Sequence, residues 1–142
     1  MRVRALMSRD VVTIGESESC YEAVKRMQRI RARHLPVLAD DGSLQGIVTD
    51  RDLRHYLFAP LIFGEIGQTT VQALLIKIPV KQIMSAPVVS VSPESEVGEA
   101  AALMREHKIG SAPVVEAGRL VGILTETDLL RQIVREDEHA CP

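Results

Sequence analysis

The sequence predicts an α/β (α+β) fold made of two β-α-β-β-α repeats, packed sheet to sheet as one pseudo-twofold module. One stretch occurs twice, as GIVTDRDL at 46–53 and as GILTETDL at 122–129. Further matches follow in the same order, beginning with Met7-Ser8, which corresponds to Met84-Ser85. A three-stranded unit of about 60 residues cannot cover both faces of its sheet alone, so two units are expected to pack together.

The first repeat carries the pattern of each element in turn. Residues 11–14 read as a short strand, and Ser19 with Glu22 forms a capping box for a helix over about 19–31. Residues 35–38 form a strand, in which Pro36 suggests a sheet edge or the strand start. A turn at 40–42 leads to a returning strand over 44–48, and a helix over about 50–58 closes the repeat.

The second repeat follows the same order. Ser92-Pro93 predicts the start of its first helical region, because proline suits the first turn of a helix. A hairpin around Gly118 follows, and then a last helix with apolar residues at 129, 130, 133 and 134. The polar segment 136–142 is expected to fray. We place repeat 1 and the start of a linker at 1–64, the linker at 65–79 with a short helix over 71–78, and repeat 2 with a C-terminal tail at 80–142.

Composition and charge exclude several classes of partner. A formal net charge of -2 does not favour binding of nucleic acid. Only 3% of the residues are aromatic, so few side chains are available for the bases of a single strand to stack on. We find neither a secretory signal nor the run of about 20 apolar residues that a membrane helix needs. Cys20 and Cys141 lack metal-ligand spacing, so reduced thiols and a cytoplasmic location are expected.

The doubled pattern resembles the CBS domain family (cystathionine-β-synthase-type modules), which occurs as tandem pairs. The resemblance covers about 3–58 and 80–134 and rests on the glycine–hydrophobic–x–Thr–x–x–Asp signature, the Met-Ser start and the Pro-Val strand of both copies. The linker segment 74–80 is similar to stand-alone bacterial CBS proteins of the acetoin-utilisation type. The resemblance implies a regulatory adenosine ligand in the cleft between the repeats, such as AMP, ADP, ATP, NAD or S-adenosylmethionine, and no covalent cofactor. It also implies a homodimer that signals through an unidentified effector protein.

Candidate ligand-binding residues follow from the same resemblance and from nucleotide chemistry. A ribose offers two neighbouring hydroxyl donors, and the ionised Asp52 offers two acceptor oxygens, with Asp128 as its counterpart. Thr49 and Thr125 precede helices, whose N-termini favour phosphate. The remaining candidates are Thr13 and Ser90 on the first strands, Arg33, His34, Arg51 and Ser111 near the motif, and Pro36, Val37, Pro113 and Val114 beside the adenine.

The two copies differ in charge. The first has Arg51 and Arg33-His34, where the second has Thr127 and Gly110-Ser111. Because a phosphate needs a cation, we expect the Asp52 site to be the stronger nucleotide site. The Asp128 site is expected to hold a less charged adenosine compound or none.

Three alternatives remain open from the sequence. The threonine–aspartate pairs could act only as helix caps, and the module could be a structural dimerisation module with degenerate sites. A small nucleotide hydrolase is the third, but no Ser/His/Asp set or phosphate-binding glycine loop is found, so the chain is not expected to be an enzyme. Cys20 lies on the apolar face of its helix, and His139 with Cys141 would make a poor metal site.

Overall fold

The computed structural model describes residues 1–62 and 68–140 of the chain, with side chains described for 1–57 and 71–140. Its contacts divide the chain into two compact units. We call Val12–Val88 the first unit, and Met1–Val11 together with Val89–Pro142 the second unit. Each unit contains most of one predicted repeat, but residues 1–11 of the predicted repeat 1 belong to the second unit and residues 80–88 of the predicted repeat 2 belong to the first. The α/β class with two repeats is confirmed.

The first unit contains a three-stranded sheet and the helices around it. In chain order these are β1 (Ile14–Gly15), α2 (Cys20–Ile30), β2 (His34–Leu38), β3 (Leu44–Thr49), α3 (Asp50–Ile62), α4 (Gln68–Lys77) and a 3-10 turn at Val80–Gln82. β2 lies in the middle, parallel to β1 and antiparallel to β3. The predicted order is confirmed, although β1 is shorter and later than the strand predicted over 11–14. The centre of the core is aliphatic and includes Ile14, Leu35, Val37, Val48 and Val80.

The second unit repeats this order around a smaller sheet. It contains α1 (Val3–Leu6), α5 (Val97–His107), β4 (Ser111–Glu116), β5 (Arg119–Thr125) and α6 (Glu126–Ala140). β4 and β5 pair antiparallel, and the strand before α5 is reduced to one parallel bridge between Val91 and Val114. Val3, Val91, Ala100, Met104, Ala112, Val114 and Leu124 form the core of this unit.

Two predictions about helix ends in the second unit are wrong. α5 begins at Val97 and not at Ser92-Pro93, because the Pro93 carbonyl is already bonded to the Arg4 amide (3.0 Å) and so helps to hold α1. At the other end, α6 continues to Ala140, through most of the segment that was expected to fray. A side-chain hydrogen bond from Gln132 to Glu136 (3.1 Å), one turn apart, supports this last stretch.

Pro36 is the third residue of the central strand and lies neither at a sheet edge nor at the strand start, so this prediction is also wrong. Its partner across the ladder is Ile47, whose amide and carbonyl bond to Ser85 on the other side (3.1 and 2.8 Å). The Pro36–Ile47 pair therefore needs no ladder hydrogen bond between its members. On the β1 side, pairing begins only at Val37, so the missing N–H of proline costs nothing there.

Each unit is completed by the segment that precedes the other repeat, and we call these two segments, around Ser85 and around Ser8, the exchanged segments. In the first unit, Ser85 pairs with Ile47 of β3, and in the second unit Ser8 pairs with Ile123 of β5. The glycine before each strand partner allows this close approach. A Cβ on Gly46 would lie 2.8 Å from the Ser85 carbonyl oxygen, and one on Gly122 would lie 2.9 Å from that of Ser8.

Candidate functional site

Thr49 and Asp52 form a reciprocal capping box where β3 turns into α3. The Thr49 amide donates to Asp52 Oδ2 (2.9 Å), and the Asp52 amide donates to Thr49 Oγ1 (3.1 Å). Without a cap, the backbone amides at the start of a helix have no hydrogen-bond partner, so the Thr49–Asp52 pair stabilises the first turn. The capping interpretation of this motif is therefore correct for the structure, and any ligand contact is additional to it.

The cap changes how a phosphate would be held. Besides the Thr49 and Asp52 amides, the Asp50 amide is also bonded, to the carbonyl of Arg33 (3.1 Å). Three of the amides at this helix start thus have partners within the protein. A phosphate beside α3 would depend on side-chain cations such as Arg51, more than on the backbone donors expected from the sequence.

A cavity of about 290 Å³ opens beside Asp52. Its volume is just below the range typical of small-molecule sites, about 300–1,000 Å³. The second carboxylate oxygen of Asp52, Oδ1, accepts a hydrogen bond from Ser85 (3.3 Å). The cavity is lined by Arg51, Asp52, His55, Tyr56, Gln82 and Ile83.

Four of these lining residues were not among the sequence candidates. His55 and Tyr56 lie three and four positions after Asp52 on α3, so helical spacing could have found them. Gln82 and Ile83 belong to the part of the first unit that follows α4, and no local pattern indicates them.

The other candidates of the first copy all belong to the first unit. His34 begins β2 opposite Thr49, and the exposed Arg33 is joined to α3 through its carbonyl. Thr13 directly precedes β1, and its carbonyl accepts a hydrogen bond from Arg26 (2.8 Å). Pro36 and Val37 are fully buried within β2, so only their backbone is suited to contact a ligand.

Asp128 repeats the capping box in the second unit but has a different neighbour. Its Oδ2 accepts hydrogen bonds from the Thr125 amide and hydroxyl (2.9 Å each). Its Oδ1 lies 3.6 Å from the Arg131 guanidinium, which is half-exposed. Arg131 is a cation that the sequence comparison overlooked, because it lies one turn after the motif, at the position of His55 in the first copy.

The remaining candidates of the second copy lie in the second unit. Ser111 begins β4 opposite Thr125 and is buried. Pro113 and Val114 are also buried, and Ser90 is exposed next to the bridge at Val91. The predicted set therefore divides into two, with one set in each unit.

Cys20 has the environment of a core residue. It is the first residue of α2 and is fully buried, and this burial raises the pKa of its thiol to about 11, above the ordinary value of 9.0. A thiol with a raised pKa is a poor nucleophile at neutral pH. Within 1–62 and 68–140, no three His, Cys, Asp or Glu side chains are grouped so as to hold a metal ion. No helix in these same ranges is long and apolar enough to cross a membrane.

The two units repeat the same order of elements, and each has a threonine–aspartate capping box at the start of its closing helix. The chain belongs to the CBS domain family, whose model matches residues 3–59 and 80–135. This confirms the resemblance found in the sequence. A CBS domain-containing protein of Dictyostelium discoideum is 36% identical over 141 residues, covering 99% of this chain and 96% of that protein. Some relatives are longer, since the chain spans 44% of one from Thermofilum pendens.

Two solved structures are similar over nearly the whole chain. The CBS domain pair of protein MJ0100, in complex with 5′-methylthioadenosine and S-adenosyl-L-methionine, has a TM-score of 0.77 at 26% identity, covering 96% of this chain and 98% of that one. A protein described as an acetoin utilization protein (AcuB) from Vibrio cholerae has a TM-score of 0.76 at 30% identity, covering 97% and 93%. The similarity to the acetoin-utilisation type is thereby confirmed.

Proposed function

We propose that the chain is a regulatory CBS module that binds an adenosine-containing ligand beside Asp52 and signals to a partner protein. The observation that carries this proposal is the cavity next to Asp52, which also contains Arg51. The complex of MJ0100 with two adenosine compounds supports the ligand class. The candidates are AMP, ADP, ATP, NAD and S-adenosylmethionine.

The side chains around this cavity suit the parts of a nucleotide. The Asp52 carboxylate accepts the two ribose hydroxyls, and the Arg51 guanidinium offers paired donors to a phosphate. His55 adds a second nitrogen donor or cation near the same place. Tyr56, whose ring is partly exposed at the cavity, provides an aromatic surface for the base.

We rank the Asp52 site above the Asp128 site. The Arg131 guanidinium is already close to Asp128 Oδ1, and a ribose would have to share or displace it. Asp52 Oδ1 has a neutral serine hydroxyl in the corresponding place. The Asp52 carboxylate therefore keeps more of its negative charge for a ribose.

We also propose that the module acts as a homodimer, with α6 at the contact between copies. Leu130, Ile133 and Val134 form an apolar face on this helix and are 55–63% exposed. Arg131 lies in the first half of α6 and Glu136 in the second. An antiparallel pair of α6 helices, with Ile133 beside the partner's Val134, would bring Arg131 of each copy near the partner's Glu136. Such a pair buries the apolar face and matches opposite charges.

The signal would arise by a shift in population. A ligand that binds one conformation of the dimer more tightly than another favours that conformation, and an effector protein can distinguish the two. The alternative is a structural dimerisation module in which the sites beside Asp52 and Asp128 are degenerate. The two functions differ in ligand binding and agree on the dimer.

Thermal unfolding against AMP, ADP, ATP, NAD and S-adenosylmethionine tests the proposal. A ligand at 100 times its dissociation constant adds about 2.7 kcal/mol to the free energy of unfolding, which for a chain of this size raises Tm by roughly 5–10 °C. We expect such a shift for at least one adenosine compound. In Asp52→Asn the affinity should fall about 10- to 100-fold, because a hydrogen bond to a charged group contributes about 1.5–3 kcal/mol.

Asp128→Asn is the matched control, since it alters the other copy of the same capping box. We expect this variant to keep the Tm shift. Loss of the shift only in Asp128→Asn would reverse our ranking of the sites. No shift with any of the five compounds would favour the structural dimerisation module. Chromatography of the recovered ligand should show it unchanged, whereas its conversion would favour a hydrolase.

A further inference from the structure

Ser85 connects the exchanged segment to the candidate ribose-binding carboxylate. Its amide and carbonyl pair with Ile47 of β3 (2.8 and 3.1 Å), so its backbone is fixed against the sheet. From there its exposed hydroxyl donates to Asp52 Oδ1 (3.3 Å). Ser85 lies 33 positions from Asp52 in the sequence and outside the repeated motif.

The Asp52 carboxylate is consequently held at both oxygens. Oδ2 accepts from the Thr49 amide (2.9 Å), and Oδ1 accepts from Ser85. A carboxylate has about four lone-pair positions, so each oxygen retains one for a ligand. With both oxygens held, the plane of the carboxylate is fixed before a ligand arrives. Two neighbouring ribose hydroxyls need such a fixed pair of acceptors, whereas a single hydroxyl can use either oxygen alone.

Asp128 is held in a different way. Ser8 has the same backbone pairing as Ser85, because its amide and carbonyl bond to Ile123 (2.9 and 3.0 Å). However, Thr125 donates twice to one oxygen of Asp128, and the Arg131 guanidinium lies beside the other. Ser8 is therefore a natural control for Ser85, with the same backbone role in the other unit.

We propose that Ser85 is a positioning residue that gives the Asp52 site its preference for a ribose with both hydroxyls over a deoxyribose. This inference rests on the proposed binding of an adenosine compound beside Asp52. Ser85 acts through Asp52, and its removal leaves the carboxylate held at Oδ2 alone, so that Oδ1 can move out of its fixed position. A ligand with both hydroxyls then loses more affinity than a ligand with one.

The test is isothermal titration of the full chain with AMP and with 2′-deoxy-AMP. We expect the wild type to prefer AMP by about tenfold, the effect of one hydrogen bond to a charged group. In Ser85→Ala the affinity for AMP should fall several-fold and that for 2′-deoxy-AMP should change little. The ratio of the two affinities should therefore become smaller than in the wild type. Ser85→Thr keeps a hydroxyl and should keep the preference, and Ser8→Ala should match the wild type.

The outcomes separate this inference from the function on which it rests. A wild type that prefers AMP, together with a Ser85→Ala variant of unchanged preference, refutes the role of Ser85 alone. An equal loss of preference in Ser8→Ala also refutes it, since the effect would then come from the backbone pairing common to both residues. A wild type that binds neither nucleotide contradicts both this inference and an AMP site beside Asp52.

Discussion

Gly46 and Gly122 are the residues on which the packing of the exchanged segments depends most directly. We expect Gly46→Ala to lower the free energy of unfolding by about 1–3 kcal/mol, as inserted methyl groups do in packed regions. The new Cβ would lie 2.7 Å from the Met84 sulfur and 2.8 Å from the Ser85 carbonyl oxygen. The sulfur can move, but the carbonyl belongs to a paired backbone. Unfolding in urea measures the change.

Gly98 provides the control for this substitution. It lies in α5 with open space around its Cα, so Gly98→Ala should leave stability unchanged or raise it by up to about 1 kcal/mol through helix propensity. Gly122→Ala should behave like Gly46→Ala, because its Cβ would lie 2.9 Å from the Ser8 carbonyl oxygen, which also belongs to a paired backbone. Equal stability of Gly46→Ala and wild type would show that the segment at Ser85 can shift at no cost.

At the scale of residues, the sequence predicts contacts that are local. The pairing of Thr49 with Asp52 follows from three-residue spacing at a helix start, and the structure contains it. The contact of Ser85 with Asp52 depends on which strand the segment joins, and no spacing rule supplies that information. The contact of Arg131 with Asp128 could have been predicted from the sequence, since Arg131 lies three residues after Asp128 on a helix.

Among the elements, α2 has the clearest start signal. Ser19 is its N-cap, and the Ser19 hydroxyl accepts a hydrogen bond from the Glu22 amide (3.1 Å). We expect Ser19→Ala to lower the free energy of unfolding by about 1 kcal/mol, because the amide loses its partner. Urea unfolding again provides the measurement. Ser17→Ala, an exposed position in the preceding turn, should differ from wild type by less than about 0.5 kcal/mol.

The start of α5 could not be predicted in the same way. Its N-cap is Glu96, which makes no side-chain cap, so the strongest helix-start signal nearby was Ser92-Pro93. That proline instead lies in a turn whose carbonyls bond to the amides of α1, for example Ser95 to Val3 (2.8 Å). A contact with a segment some 90 residues away had overridden the local preference.

On the scale of the whole molecule, the exposed face of α6 predicts self-association. We expect Ile133→Glu to convert a dimer into a monomer, because a carboxylate at the centre of the contact would be buried without a partner. Ile76→Glu is the control, since Ile76 is similarly exposed (52%) but lies on α4. Sedimentation velocity of both variants and wild type measures the assembly. A wild type that stays monomeric up to 100 times the lowest concentration that the assay detects would contradict the prediction. A dimeric Ile133→Glu variant would contradict it as well.

The repeat itself was the most predictable feature of the molecule, because two copies of one sequence pattern independently predict the same order of strands and helices. The sequence did not predict which segments complete each unit. Met7-Ser8 and Met84-Ser85 match in sequence, so each was assigned to the repeat that it precedes. In the structure, Ser8 pairs with β5 and Ser85 pairs with β3. Identical motifs cannot distinguish pairing within a repeat from exchange between repeats.

The exchange has a consequence for the order in which the protein is made. During translation the strand β3 leaves the ribosome well before Ser85, the residue that covers its edge. The first unit can therefore close only when synthesis has passed 88. Residues 1–11 are made more than 100 residues before β5, the strand with which Ser8 pairs. A segment that is synthesised before the first unit can thus pair only after most of the second unit has been synthesised.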